Sequence, residues 1–495
     1  MLIRWLCLVV NICSIIAEPT PIPVSVVQTA QNTPDRLTPK DHLPLGPNYA
    51  QQNIHYVINP GLKYQTIIGF GGAFTESSAY VLSQINATQQ QKVFDMYFSS
   101  QGHKYTMGRT HIGSCDFSME FYDYNNVSGD VSMQHFNLTS YDMERVIPFI
   151  KRAQDMIQTE LNETLKLLIT PWSPPGWMKT NGQVTCLIPL GDYCVLQEKF
   201  RDAMSLYLSK YIGALKGYGI PTWALTPQNE PESGKPTVET SMQTAAEEQA
   251  WISTSLGPRI KQDHPEVLLL AYDHNKDHVF NWAQTILGDP GSAPFTDGVA
   301  FHWYTGDQFE NVEACTKAFP NKLFVASEAT EERENSPDGY RNPTWEKGEH
   351  YAHDIIGDFN VGTHAWIDWN LVLDIRSGPS HADPTGEYCE GLIPCGSNSM
   401  VIIDTQTGEI LPQAFYWYMG HLSRYVTPNS VRIGNVPSTA AASSGLDVFT
   451  ALTPSGTTVV VVLNRNGTAA QVSFQVDDIG FNTTVPAHGI QTLWW

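Results

Sequence analysis

Between residues 66 and 371 the chain repeats one unit eight times: a short apolar run, then a longer segment with apolar residues at helical spacing. The runs are 66–74 (TIIGFGGAF), 104–112 (KYTMGRTHI), 165–173 (LKLLITPWS), 222–230 (TWALTPQNE), 266–274 (EVLLLAYDH), 298–304 (GVAFHWY), 322–330 (KLFVASEAT) and 363–371 (THAWIDWNL). Alternation of this kind predicts βα units feeding a parallel sheet, and eight in succession predict a closed (β/α)8 TIM barrel. The intervening segments suit an outer ring of helices. Thus 86–98 (NATQQQKVFDMYF) and 140–157 (SYDMERVIPFIKRAQDMI) carry apolar residues three and four apart, with Asn86 and Ser140 as expected caps.

After about residue 400 the texture changes to GLDVFTALT, TTVVVVLNR, AQVSFQV and GIQTLWW, separated by turn residues, which reads as a β-sandwich. The stretch up to NIHYVINPGLKY has no helical pattern and is expected to add strands to that sandwich. The resulting division is an α/β chain with a leader at 1–17, N-terminal sandwich strands at 18–65, a catalytic barrel at 66–400 and a C-terminal segment, mostly β-sandwich, at 401–495.

Each run begins apolar and ends in residues a core would not choose. They are Glu76 after the first, Arg109 with Asp116, Trp172, Asn229 with Glu230, Asp273 with His274, His302 with Trp303 and Tyr304, Glu328, and Asp368 with Trp369. The carboxyl ends of all eight strands of such a barrel converge on one face, where active sites are built. Strands four and seven stand across that mouth from one another and end in Glu230 and Glu328. Pro231 bars the ladder from continuing past Glu230. Ala326, Ser327 and Ala329 leave Glu328 clear in a cavity.

Two carboxylates flanking a glycosidic bond are the working parts of a glycoside hydrolase. The acid of such a pair must be protonated and the nucleophile ionised. Arg109, the best cation on the tips, goes to Glu328 as nucleophile, and Glu230 becomes acid and then base. Asn229 is placed to hold the sugar 2-hydroxyl, while Trp172, Trp303, Tyr304 and Trp369 are expected as apolar walls.

These tips resemble glycoside hydrolase family 30 through GFGGAFTESSA (69–79), RTHIGSCDFS (109–118), PWSPPGWMKTNG (171–182), NEP (229–231), HWY (302–304), SEA (327–329) and DWN (368–370). The resemblance implies a retaining mechanism, a barrel with an attached β-sandwich, and no cofactor; no CxxC or Cys/His spacing suggests a zinc site. It makes Glu230 the acid/base and Glu328 the nucleophile, with Asp116, Trp172, Asn229, Tyr304 and Trp369 binding glucose; His302 is counted with the substrate-binding residues. The implied reaction is hydrolysis of glucosylceramide to glucose and ceramide, with a secreted β-1,6-glucanase or a β-xylosidase as alternatives. An inactive carbohydrate-binding homologue is disfavoured because both carboxylates are present. The chain departs from the family in lacking cysteines near the mature N-terminus and in the segment after run eight, SGPSHADPTGEYCEGLIPCG, which would rim the leaving-group side.

The 29 basic and 50 acidic side chains leave a net charge of -21, which argues against nucleic acid and anionic membrane surfaces as partners. It suits a neutral β-glucoside and an acidic compartment, with an expected optimum near pH ~4 to 6, where a raised acid stays protonated. The leader MLIRWLCLVVNICSIIA followed by EPTPIP reads as a signal peptide, and sequons at Asn86, Asn126, Asn137, Asn162, Asn466 and Asn482 agree with secretion or lysosomal delivery. No later window is long and apolar enough to span a membrane, so any lipid contact would be peripheral. Of the cysteines outside the leader, Cys186 with Cys194 and Cys389 with Cys395 are expected disulfides. Cys115 and Cys315 are expected as buried free thiols, with a bond between them the alternative.

Overall fold

The structure is a computed structural model and describes residues 21–186, 194–334, 337–382 and 397–495. The expected leader and the Cys389–Cys395 pair lie outside the described residues. Eight parallel strands close a barrel: β1 (Gly69–Ala73), β2 (Met107–Ile112), β3 (Lys166–Pro171), β4 (Thr222–Leu225), β5 (Leu268–Asn275), β6 (Gly298–His302), β7 (Leu323–Glu328) and β8 (Ala365–Asn370). Each pairs with its neighbour in sequence, and β8 returns to β1 with Ile367 opposite Gly71. Seven of the eight apolar runs contain one of these strands whole, and the fifth, 266–274, holds all of β5 except its last residue, Asn275.

Inside the barrel, Met107, Leu168, Ala224, Leu270, Ala300, Val325, Ala365 and Ile367 form one apolar plug contributed by seven strands. Side chains two apart on a strand share a face. The residues above that plug are therefore Arg109, Thr170, Thr226, His302 and Ser327, and the apolar layer is the floor beneath a polar one. β1 has no bulky residue to offer here: a β-carbon on Gly71 would fall 2.2 Å from the Met107 carbonyl oxygen.

Helices line the outside because their apolar residues recur at helical spacing. The helix Ile147–Leu161 buries Ile147, Ile150, Ala153 and Ile157. Asn86 caps the helix Ala87–Phe98 through a capping box with Gln89. Ser140 does not act as a cap; Thr139 holds that end instead, its N–H and hydroxyl donating to Asp142 at 3.1 and 2.7 Å.

A second sheet has nine strands in the order Ile479–Val485, Ala470–Val476, Ile54–Thr66, Val431–Pro437, Leu446–Leu452, Thr458–Asn464, Gly489–Trp494, Ile22–Ala30 and Thr38–Leu45. It curls until its edges meet, where Gly46 and Gly480 exchange backbone hydrogen bonds of 3.1 and 2.9 Å. The run Thr458–Asn464 (TVVVVLN) is apolar on both faces for a reason. Val460 and Val462 fill the interior of the curl, whereas Val459, Val461 and Leu463 join the core shared with the barrel. Residues 401–412 do not enter this sheet. Val401–Asp404 pairs with Val372–Asp374 beside the barrel and Glu409–Pro412 with Val401–Asp404, and the β-rich layer resumes at Val431.

Cys186 and Cys194 are joined by a disulfide, while Cys115 and Cys315 are free and buried. Among the described residues no helix is long and apolar enough to cross a membrane.

Gly71→Ala should cost about 3 kcal/mol or more, because the clash is with backbone that cannot move aside. Gly213→Ala, in the helix Arg201–Gly217, where an added β-carbon meets nothing within 4 Å, should be neutral or stabilise by up to about 1 kcal/mol. Thermal unfolding of the two variants checks this: equal midpoints would contradict the packing of β1 on β2.

Candidate active site

The carboxyl ends of the strands are irregular where the site lies. β5 carries a bulge at Tyr272 and Asp273, both in left-handed backbone at φ 78° and 63°, where its register against β6 slips. β7 and β8 slip likewise, between Ala326 and Glu328 and between Asp368 and Asn370. Such bulges re-aim side chains. β4 stops at Leu225, and Glu230 lies beyond it on a segment pinned to both neighbours. Thr226 N–H donates to Ile169 O at 3.1 Å, Asn229 N–H to Pro171 O at 2.8 Å and Glu230 N–H to Asp273 O at 3.0 Å. Glu230 itself is left-handed at φ 45°.

Arg109 is fully buried at the centre. Its Nη1 pairs with Glu328 Oε2, its Nη2 donates to Asn229 Oδ1 at 2.8 Å and to Asp273 Oδ2 at 2.9 Å, and its Nε reaches Thr170 Oγ1 at 3.4 Å. Its guanidinium lies 4.8 Å from the ring of Trp172 and 5.5 Å from that of Trp369. Burial works against this cation, but Asp273 and Glu328 outweigh it and hold Arg109 above its ordinary pKa. Because Arg109 fixes Asn229 Oδ1, the amide Nδ2 is the atom left to donate into the cavity.

Asp273 is satisfied on both oxygens. Thr170, Thr226 and Arg109 donate to Oδ2 at 3.1, 2.8 and 2.9 Å, and Ser327 and His302 Nε2 meet Oδ1 at 2.5 and 3.1 Å. Burial pushes its carboxyl upward, yet Arg109, His302 and Ser327 keep it well below the usual range. His302 is pushed up to about 9: burial opposes its charge, but Glu328, Asp273 and Glu230 favour it more. Its Nδ1 stands 3.4 Å from Glu230 Oε1 and 3.9 Å from Glu328 Oε1, so one imidazole nitrogen lies between the two carboxylates.

The two glutamates have different company. Glu328 receives Arg109 on one oxygen and the Tyr304 hydroxyl on the other at 2.8 Å. Glu230 is buried, which alone would raise it, but the ammonium of Lys235 at 2.7 Å and His302 bring it well below the ordinary carboxylate range. The carboxylate read from the sequence as the acid is thus ionised in this resting arrangement, held so by a lysine five residues further on. Asp116 moves the other way, to about 7, through burial first and then repulsion by Glu328, Glu239 and Glu230.

A cavity of about 450 Å³ opens over this layer, and Asp116, Trp172, Asn229, Glu230, Tyr304, Glu328 and Trp369 all line it. Trp172 and Trp369 stack 5.1 Å apart as one aromatic wall, with Phe117 edge-on to Trp369. Arg109 and His302 sit beneath the lining. Trp303 is placed elsewhere. Its ring is buried against His350, Tyr351 and Trp366, its Nε1 donates to Thr330 O at 3.2 Å, and it lines no part of the cavity. Its expected place as a sugar wall is therefore corrected: alternation turns Trp303 outward, since His302 points inward. Asp368 also points away, bonded to Tyr105 and to Trp366 Nε1.

Sequence reasoning gave no role to Lys235 or Glu239, which line the cavity, and saw Asp273 and His274, the latter also in the lining, only as polar tips. The signal for Lys235 was its place in ESGKPT directly after NEP, within reach of the carboxylate.

Family comparison agrees with this architecture. The model of the Glycosyl hydrolase family 30 TIM-barrel domain matches residues 67–426, and that of the family 30 beta sandwich domain residues 429–493. The lysosomal acid glucosylceramidase of Mus musculus is 30% identical over 450 residues, 88% of this chain and 82% of the relative. The crystal structure of SrfJ from Salmonella typhimurium superposes with a TM-score of 0.84 at 27% identity, covering 96% of this chain and 99% of that one. An endo-β1,6-glucanase superposes with a TM-score of 0.80 at 26% identity, covering 96% and 99%.

If Lys235 holds Glu230 ionised, Lys235→Gln should raise the pKa of that carboxyl. The alkaline limb of kcat/KM against pH, which follows loss of the acid's proton, should then move to higher pH. An unmoved limb, or one moved to lower pH, would contradict the role given to the ion pair.

Proposed function

We propose, from the premise that this chain belongs to glycosyl hydrolase family 30, that it is a retaining β-glucosidase releasing glucose from glucosylceramide. The observation that carries the reading is the shared imidazole: oxygens of Glu230 and Glu328 lie 3.4 and 3.9 Å from one His302 nitrogen. Carboxylates gathered so closely support the short spacing of ~5 to 5.5 Å used by retaining enzymes, which leaves no room for a water between nucleophile and sugar.

In this mechanism Glu328, bonded to Arg109 and Tyr304, attacks the anomeric carbon while Glu230 gives its proton to the departing oxygen. A covalent glucosyl ester forms on Glu328. Glu230, now a base, takes a proton from water, which releases glucose with its configuration kept. The ion pair with Lys235 has to loosen for Glu230 to accept the proton it donates, and entry of the leaving group between the two side chains would do this. Asn229 Nδ2 is positioned for the 2-hydroxyl, and the pair Trp172 and Trp369 for the sugar face.

Glucosylceramide as substrate is supported by the likeness to the mouse relative. A second reading, a β-1,6-glucan, is favoured by the charged groups of the cavity lining beside the glutamates, Lys235, Glu239 and Arg376, which can hydrogen-bond a leaving group although Val238 and Ala382 lie among them. That lining suits a leaving group rich in hydroxyls.

Glucose release from glucosylceramide should exceed oligomer release from β-1,6-glucan when the purified protein is assayed on both; glucan oligomers with no ceramide would select the second reading. Glu328→Gln should keep the fold and lose activity by several orders of magnitude. Glu230→Ala should slow substrates with poor leaving groups far more than activated aryl glucosides, since only the former depend on protonation. A Glu328→Gln protein that turns over near the wild-type rate would overturn the proposal.

A further inference from the structure

On the β5 and β6 side of the cavity three metal-ligating groups converge. Glu230, His274 and His302 each offer one donor atom, and these atoms all lie within 4.8 Å of one another. His302 is fully buried, and its Nδ1 makes no hydrogen bond although it faces Glu230 Oε1 from 3.4 Å. The Nδ1 of His274 is likewise shut from solvent without a hydrogen-bond partner. The opposite nitrogen of His302 is tied to Asp273 Oδ1 at 3.1 Å. A carboxylate in that position fixes the ring of a metal-bound histidine.

Two imidazoles and one carboxylate, with the cavity side left for water, are the donor set of an open zinc site. Bonds of ~2.0 to 2.2 Å in a tetrahedral arrangement put neighbouring donors roughly 3.3 Å apart, close to the observed Nδ1 to Oε1 distance. His274 lines the open cavity and can close the rest by turning about its own side chain. Lys235 holds the other oxygen of Glu230, Oε2, and so leaves Oε1 to the ion. Nitrogen donors favour a borderline cation such as Zn2+ over Mg2+ or Ca2+, which prefer all-oxygen sites.

We propose that Glu230, His274 and His302 form a binding site for a borderline divalent cation of the Zn2+ class, and that the bound ion blocks the enzyme. The ion takes the place of the proton on His302 Nδ1, which passes to solvent, and occupies the oxygen of Glu230 nearest the cavity floor. The hydrolysis proposed above has no step at a metal; the ion removes the acid from reach of the leaving group. The blocking effect rests on Glu230 acting as that acid, whereas the binding does not.

The test is calorimetric titration of the full chain with Zn2+ at pH 7 in a buffer that does not chelate. One ion should bind per chain, hydrolysis of an aryl β-glucoside should stop and return on adding EDTA, and Mg2+ should do neither. Loss of one ligand should weaken zinc binding at least tenfold in His274→Gln and in Glu230→Gln, with circular dichroism checking that both variants fold. His278→Gln, which alters an exposed histidine beside Glu232, should leave the affinity unchanged. Zinc left unbound, or bound with unaltered affinity by both ligand variants, would overturn the site. Hydrolysis in the presence of EDTA by a protein that takes up no zinc would remove the site and leave the proposed function standing. Zinc bound as described by a chain that hydrolyses no β-glucoside would do the reverse.

Discussion

A guanidinium with no exposure to solvent stands at the centre of the barrel, and the arrangement of the mouth follows from neutralising it. Isolated, such a charge would cost several kcal/mol to bury, and removing one partner of a buried pair costs about 3–5 kcal/mol. Arg109 is met by Asp273 and Glu328 and by the oxygen of Asn229. Each comes from a different strand end, so satisfying one cation draws β2, β4, β5 and β7 into fixed relation. Asp273 in turn takes His302, Ser327, Thr170 and Thr226. The polar layer is closed upon itself, and the two carboxylates facing the cavity inherit its geometry.

That layer also separates the two glutamates chemically. Glu328 receives donors whose positions are fixed from below and the side, as suits a group proposed to stay charged and attack. Glu230 faces a histidine on the floor and a lysine on a loop, and the lysine side chain is a third exposed. A partner on a loop can be displaced by an incoming leaving group, whereas Arg109 cannot. The proposed cycle therefore places its variable charge at Glu230 and its constant charge at Glu328.

The sequence announced the barrel clearly because eight apolar runs of strand length, each ending in polar residues, leave few other folds open. Glu230, Glu328, Arg109, Asn229 and Trp172 stood out as residues a core would reject. What alternation could not supply was the bulge in β5, since left-handed backbone at Tyr272 and Asp273 carries no glycine signal. The keystone role of Asp273 was hidden for that reason. Trp303 was misplaced by treating HWY as three tips, although neighbours on a strand face opposite ways and only His302 and Tyr304 approach Glu328. Lys235 stands close to Glu230 in sequence, but a loop lysine shows which partner it takes only once the chain has turned back at Glu230. The β-rich texture after residue 400 blended two sheets, because Val401–Asp404 and Glu409–Pro412 carry the same residue types as the sandwich strands but pair with each other, and Val401–Asp404 with Val372–Asp374.

The central claim is that two carboxylates gathered around one imidazole act by double displacement. The most direct measurement is the anomer of the first sugar released, followed by proton NMR at early times before mutarotation. A retaining enzyme built as described gives β-glucose first from a β-glucoside. Appearance of the α anomer as the initial product would contradict the account, since inversion requires carboxylates ~6.5 to 9.5 Å apart with a water held between nucleophile position and sugar.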